Sequence, residues 1–61
     1  MIKTKFSPAE LVRLRLDAGL TQEQLAHKAG ISVGTLSKLE LGKSVPRGKT
    51  WRRLLEAFGN D

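Results

Sequence analysis

The pattern of apolar positions in the middle of the chain predicts two short helices joined by a tight turn. Apolar residues recur at helical spacing in two sets, Leu25, Ala26 and Ala29, and then Leu36 and Leu39. Between the sets, Gly30 can adopt a positive φ, and Ser32 can cap the second helix. Residues 22–42 are therefore predicted to form a helix-turn-helix, a plan that can place its second helix in the major groove of DNA.

A further helix is predicted before this unit. Ser7 suits the N-cap, Pro8 suits the first helical position, and Glu10 is expected to complete a capping box. We expect the helix to run to about Ala18 and to stop at Gly19. Phe6 and Leu11 are placed to form a hydrophobic staple. The residues predicted to face the core are Leu11, Leu14, Ala18 and the stem of Arg15. Val12 and Leu16 are expected at the margin of the core.

The next two helices have similar starts, and a fourth helix does not. Thr21 with Gln24 predicts a capping box, and Gly42 predicts a left-handed end to the third helix. The fourth helix is predicted from Lys49 to Phe58, with an apolar stripe of Trp51, Leu54, Leu55 and Phe58. Arg47 or Gly48 stands where a good cap would be, so this start favours phosphate binding more than stability.

The length predicts one domain at most, and four predicted helices without strand-like alternation predict an all-α domain of compact, four-helix type. The chain has 61 residues and no cysteine, so disulfides cannot supplement a thin core. No apolar run is long enough to span a membrane, and MIKTKF lacks the apolar region of a secretory signal. We therefore expect a cytoplasmic protein.

The net charge of +5 indicates an anionic partner, most often nucleic acid. The positive charge is concentrated in one region, because the stretch from Lys38 to Arg53 contains six basic residues and a single acid, Glu40. This stretch directly follows the predicted turn, which favours DNA over a diffuse basic surface.

Enzymatic functions find no support in the sequence. His27 is the only histidine and has no carboxylate constellation around it, and no residues are spaced as metal ligands. Gly42 and Gly48, followed by Lys49 and Thr50, are one residue too far apart for a P-loop, and no strand precedes them. We expect no catalytic residues, no metal and no cofactor.

The outward face of the third helix is small or polar. Val33, Gly34, Thr35, Ser37 and Lys38 lie on it. Small residues let the backbone approach the groove floor, Lys38 can reach guanine O6 or N7, and a Val33 methyl can contact a thymine methyl. An ordinary solvated face is the alternative, and the adjacent basic cluster favours DNA.

Several segments together resemble one family. Residues 18–26 (AGLTQEQLA), 29–32 (AGIS) and 36–43 (LSKLELGK), followed by Pro46, are similar to lambda-repressor-like (XRE/Cro-type) helix-turn-helix domains. The resemblance covers residues 11–59 and implies that Val33, Gly34, Ser37 and Lys38 read bases. Within the resemblance and the basic cluster, the expected phosphate contacts are Gln22, Thr35, Lys43, Arg47, Lys49, Arg52 and Arg53, and Arg15 and Glu40 match a pair that forms a structural salt bridge in such domains.

The expected organisation is a basic arm (1–6), a DNA-binding domain (7–59) and a short tail (60–61). The arm, with Lys3 and Lys5, is either a solvated tail or a DNA backbone contact. Many relatives continue into a fifth helix that helps dimerisation, and we expect it to be absent here. The protein is then expected to dimerise through another surface, to be monomeric, or to be a fragment. Candidate interface residues are Val12, Leu16, Leu41, Val45 and Trp51.

Two functions from different classes remain open. The leading one is a transcriptional regulator, most simply a repressor, that binds a two-fold symmetric duplex DNA site and can form a homodimer on it. The alternative is an antitoxin or adaptor whose main partner is another protein.

Overall fold

Four helices and no strand make up residues 6–58, the part of the chain that the computed structural model describes. The helices are α1 (Pro8–Asp17), α2 (Gln22–Ala29), α3 (Val33–Glu40) and α4 (Gly48–Ala57). The predicted all-α, four-helix class is confirmed. The predictions for Lys3 and Lys5 of the arm, for residue 59 at the end of the predicted domain and for the tail lie outside the described residues.

The predicted N-caps of the first three helices are confirmed. Thr21 and Gln24 form the full capping box, in which Thr21 Oγ1 accepts from the Gln24 amide at 3.0 Å and Gln24 Oε1 accepts from the Thr21 amide at 2.9 Å. Ser7 Oγ accepts from the Glu10 amide at 3.4 Å, but the return bond from the Glu10 side chain is absent. The exposed Glu10 carboxylate stays in water near the positive end of α1, where the helix dipole favours it without that bond.

Glycines end α2 and α3 as predicted. Gly30 has a φ of 75°, and Gly42 has a φ of 79°. The left-handed conformation reverses the chain within two residues, and the amides of Ile31 and Lys43 donate to the Ala26 and Lys38 carbonyls. The turn after α2 therefore fixes the direction in which α3 leaves it.

Helix α2 is central, since it packs against both α3 and α4, and α1 packs against α3. The core is built from Leu11, Leu25, Ala26, Ala29, Leu36, Leu39, Trp51, Leu54 and Ala57. Leu14 is partly buried against this core, but Ala18 is exposed, so its prediction as a core residue was wrong. Ala18 is the C-cap of α1 and lies just outside the helix.

The two residues of α1 that were predicted at the margin of the core differ in exposure. Val12 is half-buried, as a margin residue should be, whereas Leu16 is 61% exposed. Leu41 and Val45, in the connection between α3 and α4, are exposed by 66% and 75%.

Helix α4 begins at Gly48, one residue before the predicted start, and buries most of its apolar stripe. Trp51 is only 8% exposed and meets the Phe6 ring edge-on, with 5.4 Å between ring centroids. Trp51 therefore belongs to the core, and its prediction as an interface residue was wrong. The large apolar area that Trp51 buries stabilises the start of α4, which has no capping side chain.

Candidate nucleic-acid interface

The first turn of α3 presents a face that is largely free of large side chains. Val33 is 41% exposed, and Gly34, Thr35 and Lys38 are also exposed. Ser37 is half-buried and lies at the edge of this face. Leu36 and Leu39, on the opposite side, are fixed in the core, which sets the rotation of the helix and keeps the polar face outward.

Two hydroxyl groups, those of Ser32 and Thr35, are hydrogen-bonded at the start of α3. Ser32 Oγ accepts from the Thr35 amide at 3.1 Å and donates to Thr35 Oγ1 at 2.9 Å. Each hydroxyl can donate or accept, so the exposed Thr35 hydroxyl can donate to an acceptor outside the protein while Ser32 donates to it. A phosphate oxygen is such an acceptor.

The end of α3 places Lys43 beside Lys38. The Lys43 amide donates to the Lys38 carbonyl at 2.9 Å, and the Gly42 amide donates to the Leu39 carbonyl at 3.2 Å. The two lysines therefore have a fixed backbone relationship, and both side chains are exposed. One cation belongs to the helix face and the other to the loop that follows it.

The start of α4 leaves amide groups without a capping side chain. Arg47 is the N-cap in extended conformation and makes no side-chain cap bond, as the sequence predicted. The first amides of a helix have no partner within it, so those of Gly48 and Lys49 are available at the positive end of the helix dipole. Exposed cationic side chains at Arg47 and Lys49 reinforce this positive potential.

The two arginines farther along α4 are exposed but lie apart from this start. Arg53 is about 9 Å along the helix axis from Arg47. Its guanidinium lies beside Gly30, where an added Cβ would be 3.8 Å from Nη1, and it lines a shallow recess with His27, Lys28 and Glu56. The structure therefore places Arg53 at the end of α2, and not with the cations at the start of α4.

A hydrogen-bonded network joins α1, α2 and α3 at one end of the helix-turn-helix. Arg15 Nε donates to Glu40 Oε2 at 2.7 Å, Arg15 Nη2 donates to Glu40 Oε1 at 3.3 Å, and Arg15 Nη1 donates to the Leu20 carbonyl at 2.9 Å. The pair is well shielded, with side-chain exposures of 14% for Arg15 and 6% for Glu40. Its attraction is therefore less weakened by water and salt than that of a surface pair.

Gln22 also takes part in this network, which the sequence did not indicate. Gln22 Nε2 donates to Glu40 Oε1 at 2.8 Å. The two residues are 18 positions apart, so no local pattern predicts the contact. It exists because the fold brings the first residue of α2 against the last residue of α3.

Among residues 6–58, no group of three or more His, Cys, Asp or Glu side chains could hold a metal ion. In the same range, no helix is long and apolar enough to cross a membrane. The hydrogen-bond donors and positive charge described above lie on α3, in the loop after it and at the start of α4.

Two short helices at a glycine turn, with an exposed polar face on the second and cations after it, define the helix-turn-helix class of DNA-binding domains. A family model described as "Helix-turn-helix" matches residues 11–61, and the chain belongs to this family. The resemblance to lambda-repressor-like (XRE/Cro-type) domains is thereby confirmed, and so is the expectation that the chain is not an enzyme, because the family is a non-enzymatic one.

A similar protein agrees with this family assignment. The chain is 38% identical over 55 residues to a protein of Sinorhizobium fredii (strain NBRC 101917 / NGR234) named "Uncharacterized HTH-type transcriptional regulator y4dJ". The aligned region covers 90% of this chain and 71% of the relative. The similarity therefore extends over nearly the whole domain.

Proposed function

We propose that the protein is a sequence-specific regulator of transcription that binds duplex DNA with α3 in the major groove, most simply as a repressor that occludes polymerase. The observation that carries this proposal is the continuity between the exposed, small and polar face of α3 and the cations that follow it. The name of the Sinorhizobium fredii relative supports the regulatory role.

The base-reading residues in this proposal are Val33, Gly34, Ser37 and Lys38. Lys38 donates to guanine O6 or N7, and Val33 contacts a thymine methyl group. The absence of a side chain at Gly34 brings the backbone of α3 close to the base edges. Exposure of Val33, Gly34 and Lys38 supports their roles, and Ser37 lies half-buried at the edge of the same face.

Phosphate contacts provide most of the affinity and little of the specificity. The proposed set is Gln22, Thr35, Lys43, Arg47, Lys49, Arg52 and Arg53, together with the free amides at the start of α4. The exposed hydroxyl of Thr35 and the uncapped start of α4 at Arg47 support the contacts proposed at these two places. Arg53 lies farthest along α4 from its uncapped start, and its guanidinium is beside Gly30, so we assign it the weakest contribution.

The proposal is tested by selecting bound sites from a random DNA pool at a fixed, reported salt concentration. We expect a short consensus, and a two-fold symmetric site with half-site centres about 10 bp apart would show that two copies bind together. Placed across a promoter, the selected site should lower transcription when the protein is added to a purified system. Recovery of no consensus would contradict sequence-specific binding, and increased transcription would contradict repression.

A charge-matched pair of variants separates the proposed interface from general attraction. Lys43→Ala and Arg13→Ala each remove one positive charge, but Arg13 lies on α1 and pairs loosely with Asp17 at 3.9 Å. Loss of Lys43 should weaken binding and reduce the slope of log affinity against log salt by about one. Equal effects of the two variants would contradict the assigned face.

A further inference from the structure

We infer that Glu40 is a positioning residue for DNA binding, which holds the Gln22 side chain ready for a phosphate through a bond that Arg15 keeps in place. This inference rests on the proposed function, in which Gln22 contacts the DNA backbone. It gives the buried pair a second role besides holding α1 to α3.

The chemistry of the contact fixes the orientation of the Gln22 amide. An ionised carboxylate only accepts hydrogen bonds, so the amide nitrogen, and not the oxygen, must face Glu40 Oε1. One N–H of Nε2 is used in this 2.8 Å bond. The second N–H remains available, and it is directed by the planar geometry of the amide.

Arg15 makes this arrangement compatible with a nearby phosphate. An unpaired carboxylate at Glu40 would repel a phosphate group, but the Arg15 guanidinium binds both of its oxygens, at 2.7 and 3.3 Å. The Leu20 carbonyl holds the same guanidinium from the other side, at 2.9 Å. The rotamer of Glu40, and with it that of Gln22, is therefore set before DNA arrives.

Preorganisation of this kind strengthens binding because the side chain is ordered when the protein folds and not when it binds. The backbone amide of Gln22 adds to the effect, since it is the first in α2 and has no partner within the helix. Side chain and amide can then meet one phosphate from a fixed position.

A double-mutant cycle tests the inference. The variant Arg15→Met/Glu40→Leu removes the acceptor for Gln22 without changing the net charge, and apolar replacement of both members of a buried pair often preserves stability. Gln22→Ala is then introduced into the wild-type chain and into this variant, and DNA affinity is measured at a temperature where all four proteins are folded.

We expect Gln22→Ala to weaken binding about tenfold in the wild-type chain, equivalent to about 1.4 kcal/mol, and by less than half of that free energy in the double variant. The slope of log affinity against log salt concentration should be the same in all four proteins, because none of the substitutions removes a contact between a cationic side chain and a phosphate. Lys43→Ala, the control, should have the same effect in both backgrounds. A purely structural role for Glu40 would change thermal stability without coupling to Gln22.

Equal losses from Gln22→Ala in the two backgrounds would overturn the inference, and so would no loss in the wild-type chain. Failure of the wild-type chain to bind duplex DNA would instead overturn the proposed function itself. If the double variant does not fold, NMR relaxation of the Gln22 side-chain amide in the free wild-type protein decides. An order parameter near that of rigid backbone, about 0.85, supports the inference, and a value below about 0.6 overturns it.

Discussion

Replacement of Arg15 by alanine is expected to destabilise the domain strongly. The change leaves the Glu40 carboxylate, whose side chain is 6% exposed, with Gln22 as its one remaining hydrogen-bond donor among the described residues. It also removes the donor to the Leu20 carbonyl. Removal of one partner from a buried pair costs about 3–5 kcal/mol, and we take the lower end, about 3 kcal/mol, because Arg15 is 14% exposed.

This loss is large relative to the stability of so small a domain. A chain of 61 residues has a total unfolding free energy of roughly 3–9 kcal/mol. At about 4–8 °C per kcal/mol, the expected fall in Tm is roughly 12–24 °C. Thermal unfolding and urea titration, followed by circular dichroism, would measure it.

Arg13→Ala on the same helix is the matched control. Arg13 and Asp17 are each 72% exposed and 3.9 Å apart, so loss of this pair should change stability by less than about 1 kcal/mol. A Tm for Arg15→Ala within a few degrees of the control, together with lost DNA affinity, would refute the structural role of the pair.

Three further predictions concern α3 and its ends. Lys38→Ala should relax the base preference in site selection, whereas Lys43→Ala should weaken binding to all sequences about equally. Gly34→Ala should raise stability by about 1 kcal/mol in urea titration, because an added Cβ meets nothing closer than 4.0 Å, yet it should weaken DNA binding. Gly42→Ala should lower stability by about 1–2 kcal/mol, because alanine is strained at a φ of 79°.

Local signals predicted most of the fold because each acts over a few residues. The caps at Ser7, Thr21 and Ser32 and the left-handed end at Gly42 depend on the chemistry of the neighbouring amides and carbonyls. The weak start of α4 at Arg47 was predicted for the same reason, since no capping oxygen is present there. Such features can be inferred without knowing how the helices pack.

Features that depend on packing were less predictable. Ala18 has the correct helical spacing for the core, but whether the core reaches it depends on where α3 lies. Trp51 could have faced a partner or the interior, and the Phe6 ring against its edge shows that it faces the interior. The bond from Gln22 to Glu40 depends on three helices at once, so periodicity carried no information about it.

The residues that hold the fold and those that would read bases are almost separate in this domain. Among residues 6–58, the exposed Val33 and Lys38 side chains make no hydrogen bond or ion pair that holds the helices together, and an added Cβ at Gly34 would meet nothing closer than 4.0 Å. Substitutions at these positions should therefore change DNA preference at little cost in stability. The exception is the network of Arg15, Glu40 and Gln22, where one carboxylate both joins helices and would orient a phosphate contact. Loss of Arg15 or Glu40 alone is therefore expected to change stability and affinity together, so changes in binding specificity are expected to arise on α3 and not at its far end.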